Sequence, residues 1–167
     1  QHRKRLEKID RLIPPILWLD TSKDGEQRFE SSSGTSQLNW HEANLAIRQL
    51  EVFSGANLRK VLDFSEVKIL VMSAYQAQVR QISRMAKDSR GTLGGLNLDI
   101  KTIDQVQGRE TDIAILSLTR SNSSRTMGFV NDYPRINVAL SRAKHGLIII
   151  GDRTMFEAKP NPIGRVL

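Results

Sequence analysis

The residues best suited to chemistry are crowded between two apolar runs. In "TIDQVQGRETDIAILSLTRSN", residues 102–122, the polar group Gln107, Gly108, Arg109, Glu110 and Asp112 interrupts stretches that read as buried strands. A second cluster is Arg135 and Arg142, seven residues apart. On one helix they stand two turns apart and nearly in line. Two guanidiniums on an exposed face suit the phosphates of a nucleotide; a solvated basic face paired with local acids is the other reading of the same pair. The remaining candidates lie where apolar runs end. They are Ser73 and Tyr75 in the turn 73–78, then Thr119, Arg120 and Asn122, then Gly151 with Asp152.

Several elements must hold these residues. Leu6, Ile9 and Ile13 among many charges predict a short amphipathic helix ended by Pro14 and Pro15. Residues 16–20 read as a strand, and the Gly/Ser-rich stretch 21–38 as the most flexible segment, a candidate for ordering on a protein partner. Asn39 caps a helix running to about residue 54, with Glu42 in a capping-box relation and Trp40, Ala43, Ile47 and Leu50 on its buried face. His41 falls on its exposed side. Residues 67–73 read as a central strand, and 75–88 as a helix burying Val79, Ile82 and Met85 or Ala86. Pro134 in a first turn and Gly146 just past an end predict a helix across 131–146 that carries both Arg135 and Arg142. His145 then sits near its C-terminus, where the dipole favours a charged imidazole. A strand over 147–152 and a short helix from 154 complete the chain.

Strands that are apolar on both faces and alternate with helices predict an α/β domain with a parallel sheet covered on both sides. Ligands in such sheets gather at the carboxyl ends of the strands. That rule puts 73–78, 102–110, 119–122 and 151–152 along one rim.

Composition narrows the function. At 167 residues the chain fits one domain, 1–167, with 1–15 as an N-terminal flank. The excess of 25 Lys and Arg over 18 Asp and Glu, a net charge of +7, favours polyanionic partners such as nucleic acid. The lack of cysteine excludes disulfides and thiolate metal sites, and the scattered His2, His41 and His145 form no zinc set. No apolar run nears the ~20 residues of a membrane span, and the start lacks a signal-peptide core, so a cytosolic or nuclear protein without a membrane partner is expected. The chain does not begin with methionine, and a piece of a longer protein is expected.

Taken in order, "TIDQVQGRETDIAILSLTRSN", "GFVND" and "RINVALSRAKHGLIIIGD" resemble motifs V and VI of superfamily 1 helicases, in the branch of the nonsense-mediated-decay helicase and senataxin. "SSGTSQLNWHEA" and "ILVMSAYQAQVRQI" resemble the linker helix and motif IV region of the same family. The likeness covers residues 16–156. It implies a RecA-like, P-loop NTPase-like second helicase domain with no P-loop of its own, closing on ATP and Mg²⁺ held mainly by a first RecA-like domain of the same parent chain. Single-stranded RNA or DNA then crosses both domains, and closure and opening drive translocation. The resemblance leans toward RNA and 5′-to-3′ movement.

Carried over by motif position, Arg142 resembles the arginine finger and Glu110 the acid facing the nucleotide. Gln107 and Gly108 belong to the same nucleotide motif. Arg135 is placed on either the motif V loop or the nucleotide. Ser73, Tyr75, Thr102 and Asp104 are the implied contacts to the nucleic-acid backbone, with core packing as the alternative for Tyr75. Thr119, Arg120 and Asn122 resemble family residues that couple the two sites, with Asn122 also among the implied nucleic-acid contacts and Arg120 pairing with an acid such as Asp112. "SAY" departs from the family's Thr-Pro-Tyr. The chain has no "GxxxxGK[ST]", and "GTLGG" reads as a flexible turn. Alone, such a domain is expected neither to hydrolyse ATP nor to unwind. A helicase-fold binding or scaffold module is the alternative, recruiting proteins through 21–38. A dinucleotide enzyme fails for want of "GxGxxG" after the first strand.

Overall fold

The computed structural model describes residues 2–157 and residue 163, with side chains described from residue 7. Leu6, His2 and the basic stretch 2–5 therefore lie outside the described side chains. In chain order the elements are α1 (His2–Leu12), β1 (Ile16–Asp20), the hairpin β2 (Ser31–Ser33) and β3 (Ser36–Leu38), α2 (Trp40–Ser54), α3 (Ala56–Arg59), β4 (Lys68–Ser73), α4 (Gln76–Asp88), α5 (Arg90–Leu93), β5 (Asn97–Thr102), β6 (Thr111–Ser117), α6 (Tyr133–Leu140), β7 (Ala143–Gly151) and α7 (Thr154–Glu157).

Five strands form one sheet in the order β1-β7-β6-β4-β5, every neighbouring pair parallel. Alternation along the strands sorts the apolar side chains onto two faces. Ile69, Val71, Ile113, Ile115, Ile148 and Ile150 pack with Ile9, Leu50, Phe53 and Ile82 from α1, α2 and α4. Leu70, Met72, Ala114, Leu116, Leu147 and Ile149 pack with Ile136, Ala139 and Phe156 from α6 and α7. Both faces are covered, which explains why the strands read as continuous apolar runs.

Parallel pairing also sets two chemically distinct edges. The carboxyl edge carries Asp20, Ser73, Thr102, Ser117 and Gly151, and the amino edge carries Ile16, Lys68, Asn97, Thr111 and Ala143. A 3-10 turn over Ile103–Val106 starts the return of the chain from the end of β5 to the start of β6. Arg109 and Glu110 consequently lie at the amino edge beside Lys68, Asn97 and Thr111, while Thr102 lies at the carboxyl edge, so the expected single rim is divided in two.

Further expectations are corrected. The helix carrying Arg135 ends at Leu140, and Arg142 lies beyond it. Pairing with β6 explains this: the Arg142 carbonyl accepts the Thr111 amide at 3.0 Å, and Ala143 is already in register with Thr111. Gly146 is therefore a strand residue, where a Cβ would stand 2.8 Å from Ile13 Cγ2, so the glycine lets β7 pass close to the end of α1. Residues 21–38 contain a 3-10 turn and the β2–β3 hairpin.

Trp40 is 48% exposed, while Ala43, Ile47 and Leu50 are buried as expected. The start of α2 is bonded to Thr119, past the end of β6, which leaves its first residue without sheet beneath it. His41 is half-buried with Nε2 2.6 Å from Asp24, rather than on an open face. His145, inside β7, pairs with Asp10 at 2.8 Å instead of lying at a helix end.

Candidate functional site

The amino edge gathers charge. Glu110 is exposed and 2.8 Å from Lys144 Nζ, and this ammonium holds its carboxyl below the usual carboxylate range while the Lys144 pKa rises in turn. Arg142 anchors itself locally. Its Nε donates to the Val138 carbonyl at 2.8 Å, Nη1 to the Arg109 carbonyl at 3.2 Å, and Nη2 to Ser141 Oγ at 3.0 Å. All three acceptors are neutral, so the guanidinium is positioned while, among the described residues, its charge is left uncompensated by direct contact. Beside it, Lys68, Asp99, Arg109, Glu110 and Thr111 line a cavity of about 420 Å³. Gly108 makes the approach with φ of +77°, a left-handed conformation that costs glycine little.

Gln107 and Arg135 line a separate cavity of about 230 Å³ together with Asp104. Arg135 Nε donates to Asp104 Oδ1 at 2.9 Å, and its guanidinium lies 5.0 Å from the Phe129 ring centroid. In this structure Arg135 is bonded to the 103–110 loop through Asp104. Arg135 and Arg142 do not share one helical face.

The carboxyl edge is a buried polar network. Glu42, fully buried, accepts from Ser117 Oγ at 2.6 Å and from the Thr119 amide at 2.7 Å. Burial pushes its carboxyl up to about 8 against those two stabilising bonds, and the nearby Glu30 and Asp152 add to the rise. Asn39 Oδ1 accepts the Glu42 amide at 3.0 Å, as a cap should, but Glu42 turns inward instead of closing a capping box; Gln78 Oε1 takes the Asn39 amide. Ser73 and Thr119 hydroxyls share a bond at 2.9 Å. A shell around this network joins Arg28 to Asp152 at 3.2 Å, Ser121 to Asp152 at 2.7 Å, and Arg120 to Glu30 at 3.0 Å. Arg120 thus pairs with Glu30 and not with Asp112, whose Oδ2 accepts the Lys68 amide. Burial raises the Glu30 pKa against the bond from the Ser121 amide and the Arg120 charge.

Other expected contact residues are internal. Ser73 is fully buried, Tyr75 is 4% exposed, and the Tyr75 hydroxyl accepts the Phe129 amide at 3.0 Å. Tyr75 offers no open face for a base in this arrangement and belongs to the core. Thr102 caps the following turn in a capping box with Gln105. Asn122 accepts the Thr126 amide at 2.8 Å and donates to Glu30 at 3.0 Å, which makes it a loop organiser. Asp104 remains exposed at the surface.

A family model described as an AAA domain matches residues 1–154. The chain belongs to that family. The DNA polymerase alpha-associated DNA helicase A of Saccharomyces cerevisiae is 33% identical over 138 residues, covering 83% of this chain and 19% of the relative. A regulator of nonsense transcripts 1 homolog from Neurospora crassa is 36% identical over 142 residues, covering 83% and 12%. The DNA replication ATP-dependent helicase/nuclease DNA2 of Xenopus laevis is 33% identical over 138 residues, covering 82% and 12%. The chain therefore spans about a fifth or less of these relatives. The crystal structure of the C-terminal domain of a possible DNA helicase from Lactobacillus plantarum WCFS1 aligns with a TM-score of 0.50 at 11% identity, covering 96% of this chain and 88% of that one. This AAA-family chain is thus related to parts of proteins named as helicases, and it has a RecA-like, P-loop NTPase-type α/β fold.

Reading the motifs of this AAA-family domain missed Glu42 and Glu30 as buried acids. Glu42 was detectable: with Ala46, Leu50 and Phe53 it lies on one helical stripe, so its side chain enters the core. Glu30 carried no such signal, because its burial comes from the distant segment 120–122 folding over it.

Proposed function

We propose that the chain is the second RecA-like domain of an ATP-dependent nucleic-acid helicase. It presents Arg142 and Glu110 to a nucleotide held by a first RecA-like domain. The observation that carries this reading is the Arg142 guanidinium, fixed by three neutral oxygens and free of direct carboxylate contact among the described residues. Such a group suits an anion whose charge grows during reaction.

Bound ATP with Mg²⁺ would supply the γ-phosphoryl group and the metal. At the amino edge this chain offers guanidinium and ammonium groups, with Glu110 engaged by Lys144. Among the described residues no three His, Asp or Glu side chains gather as a metal set. The donor set fits phosphate oxygens, which is the part an arginine finger plays. Lys144 holds Glu110 oriented beside Arg142, and Gly108 shapes the turn that brings Glu110 there. Asp104, restrained by Arg135, sits at the surface between the two edges and is suited to link closure on nucleotide with contact to a single strand of RNA or DNA.

The test is binding of a transition-state mimic. In the longer protein, Arg142→Ala should weaken binding of ADP with aluminium fluoride at least tenfold and leave ATP affinity within about threefold. Equal weakening of both, or of neither, would remove the finger role.

A further inference from the structure

The exposed Trp40 is the clearest feature that the motif reading leaves unused. The Arg84 guanidinium lies 5.7 Å from its ring centroid, and the indole forms one wall of a groove of about 380 Å³. Arg80, Gln81 and Arg84, on successive turns of α4, form the facing wall, and Ser33 and Leu38 of the β2–β3 hairpin close the end. Arg80 and Arg84 are exposed, and no carboxylate lines the groove.

Gln81 supplies an independent sign of a ligand. Its side chain is 7% exposed, and its Oε1 accepts from Arg84 Nη2 at 2.7 Å. Its Nε2, also buried, has no hydrogen-bond partner. A buried donor left unpaired is destabilising, a penalty that a bound acceptor would remove. A half-exposed indole with the Arg84 guanidinium over one face, a second cation in Arg80 and a buried unused donor together form a set suited to a base, its phosphates and an oxygen acceptor.

The groove is continuous with the carboxyl edge. Ser36 Oγ accepts the Ala77 amide at 3.2 Å, which docks the hairpin on the first turn of α4, four residues after Ser73 ends β4. A strand lying along that edge can run directly into the groove.

We infer that the Trp40 groove is a binding subsite for single-stranded nucleic acid. One base stacks on the indole in the place that the Arg84 guanidinium takes in this structure, the displaced Arg84 and Arg80 meet the flanking phosphates, and Gln81 Nε2 donates to an oxygen of the same nucleotide. The choice of ligand class rests on the proposed helicase reading; the site itself rests on the groove. An acidic peptide is the competing occupant, which the test separates.

The experiment measures anisotropy of 5′-labelled uridine and thymidine 15-mers titrated with the protein at several salt concentrations. Trp40→Ala should lower affinity about 5- to 150-fold, and Trp40→Phe should recover most of it. Arg84→Ala should make the slope of log K against log salt shallower by about 0.7, whereas Trp40→Ala should leave the slope unchanged. The inference is overturned if both alanine variants bind as the parent does, or if neither 15-mer binds. It is equally overturned if a glutamate-rich peptide binds in a Trp40-dependent way while the 15-mers do not. None of these outcomes bears on Arg142, whose role is read through the nucleotide.

Discussion

Glu42 Oε2 accepts the backbone amide of Thr119 at 2.7 Å, and Thr119 holds a φ of +70°. A β-branched residue in that region is strained, and such strain persists only where surroundings over-determine it. Here the surroundings are explicit. The Thr119 carbonyl accepts from Asn39, its hydroxyl meets Ser73, and its amide is taken by Glu42. The bend that turns the chain off β6 into the 120–122 segment is thus fixed by the first turn of α2, eighty residues earlier in sequence.

Stability should fall as pH rises because of Glu42. Burial pushes its carboxyl up to about 8 in the folded state from an ordinary 4.5, so the folded state binds more protons than the unfolded state between those values. The stabilising contribution of the protonated form is complete below 4.5 and lost as pH passes 8. Urea unfolding from pH 4.5 to 8.5 should show this decline, and Glu42→Gln, which cannot titrate, should flatten it. Parallel pH profiles for the two proteins would refute the assignment.

Deleting the same side chain should be costly. Glu42→Ala strands the Ser117 hydroxyl and the Thr119 amide in the interior, an expected loss of about 2–5 kcal/mol. Chemical denaturation checks this directly, and a loss below about 0.5 kcal/mol, the range of neutral surface changes, would mean that water or neighbouring groups replace the carboxyl.

These residues also mark how much was legible in the sequence. The sheet, its two apolar faces and the caps at Asn39 and Pro134 follow from periodicity and end signals, which are local. Arg142 was located as a residue but misplaced as helical, because pairing of Ala143 with Thr111 overrides a pattern that continues the helix to Gly146. The two-edge division was hidden for a similar reason: the path of 103–110 across the sheet depends on which strands pair. Trp40 followed its helical stripe in sequence, yet the sheet ends before reaching it.

Gly108 should resist substitution for conformational reasons alone. A Cβ built there meets nothing within 4 Å, but φ is +77°. Gly108→Ala is expected to cost about 1–2 kcal/mol, and Gly108→Asn less, since asparagine tolerates the left-handed region better. Thermal unfolding of the pair gives the order; alanine equal to glycine would mean that the turn relaxes to another conformation.

Arg135 should matter more for function than for stability. Its pairs with Asp104 and Asp132 are partly exposed, so Arg135→Ala is expected to cost under about 1 kcal/mol of folding stability. In the longer protein the same change should reduce the stimulation of ATP hydrolysis by a single strand, with Asp104→Asn behaving alike. Undiminished stimulation in both variants would show that this pair transmits nothing between the edges.

The central claim is that Arg142 acts on a nucleotide bound by another domain, and strand-stimulated ATP turnover in the longer protein tests it most directly. Arg142→Ala should lower kcat by about 10³-fold or more, in line with arginine fingers elsewhere, while KM for ATP changes little. A kcat within a few-fold of the parent protein would contradict the account.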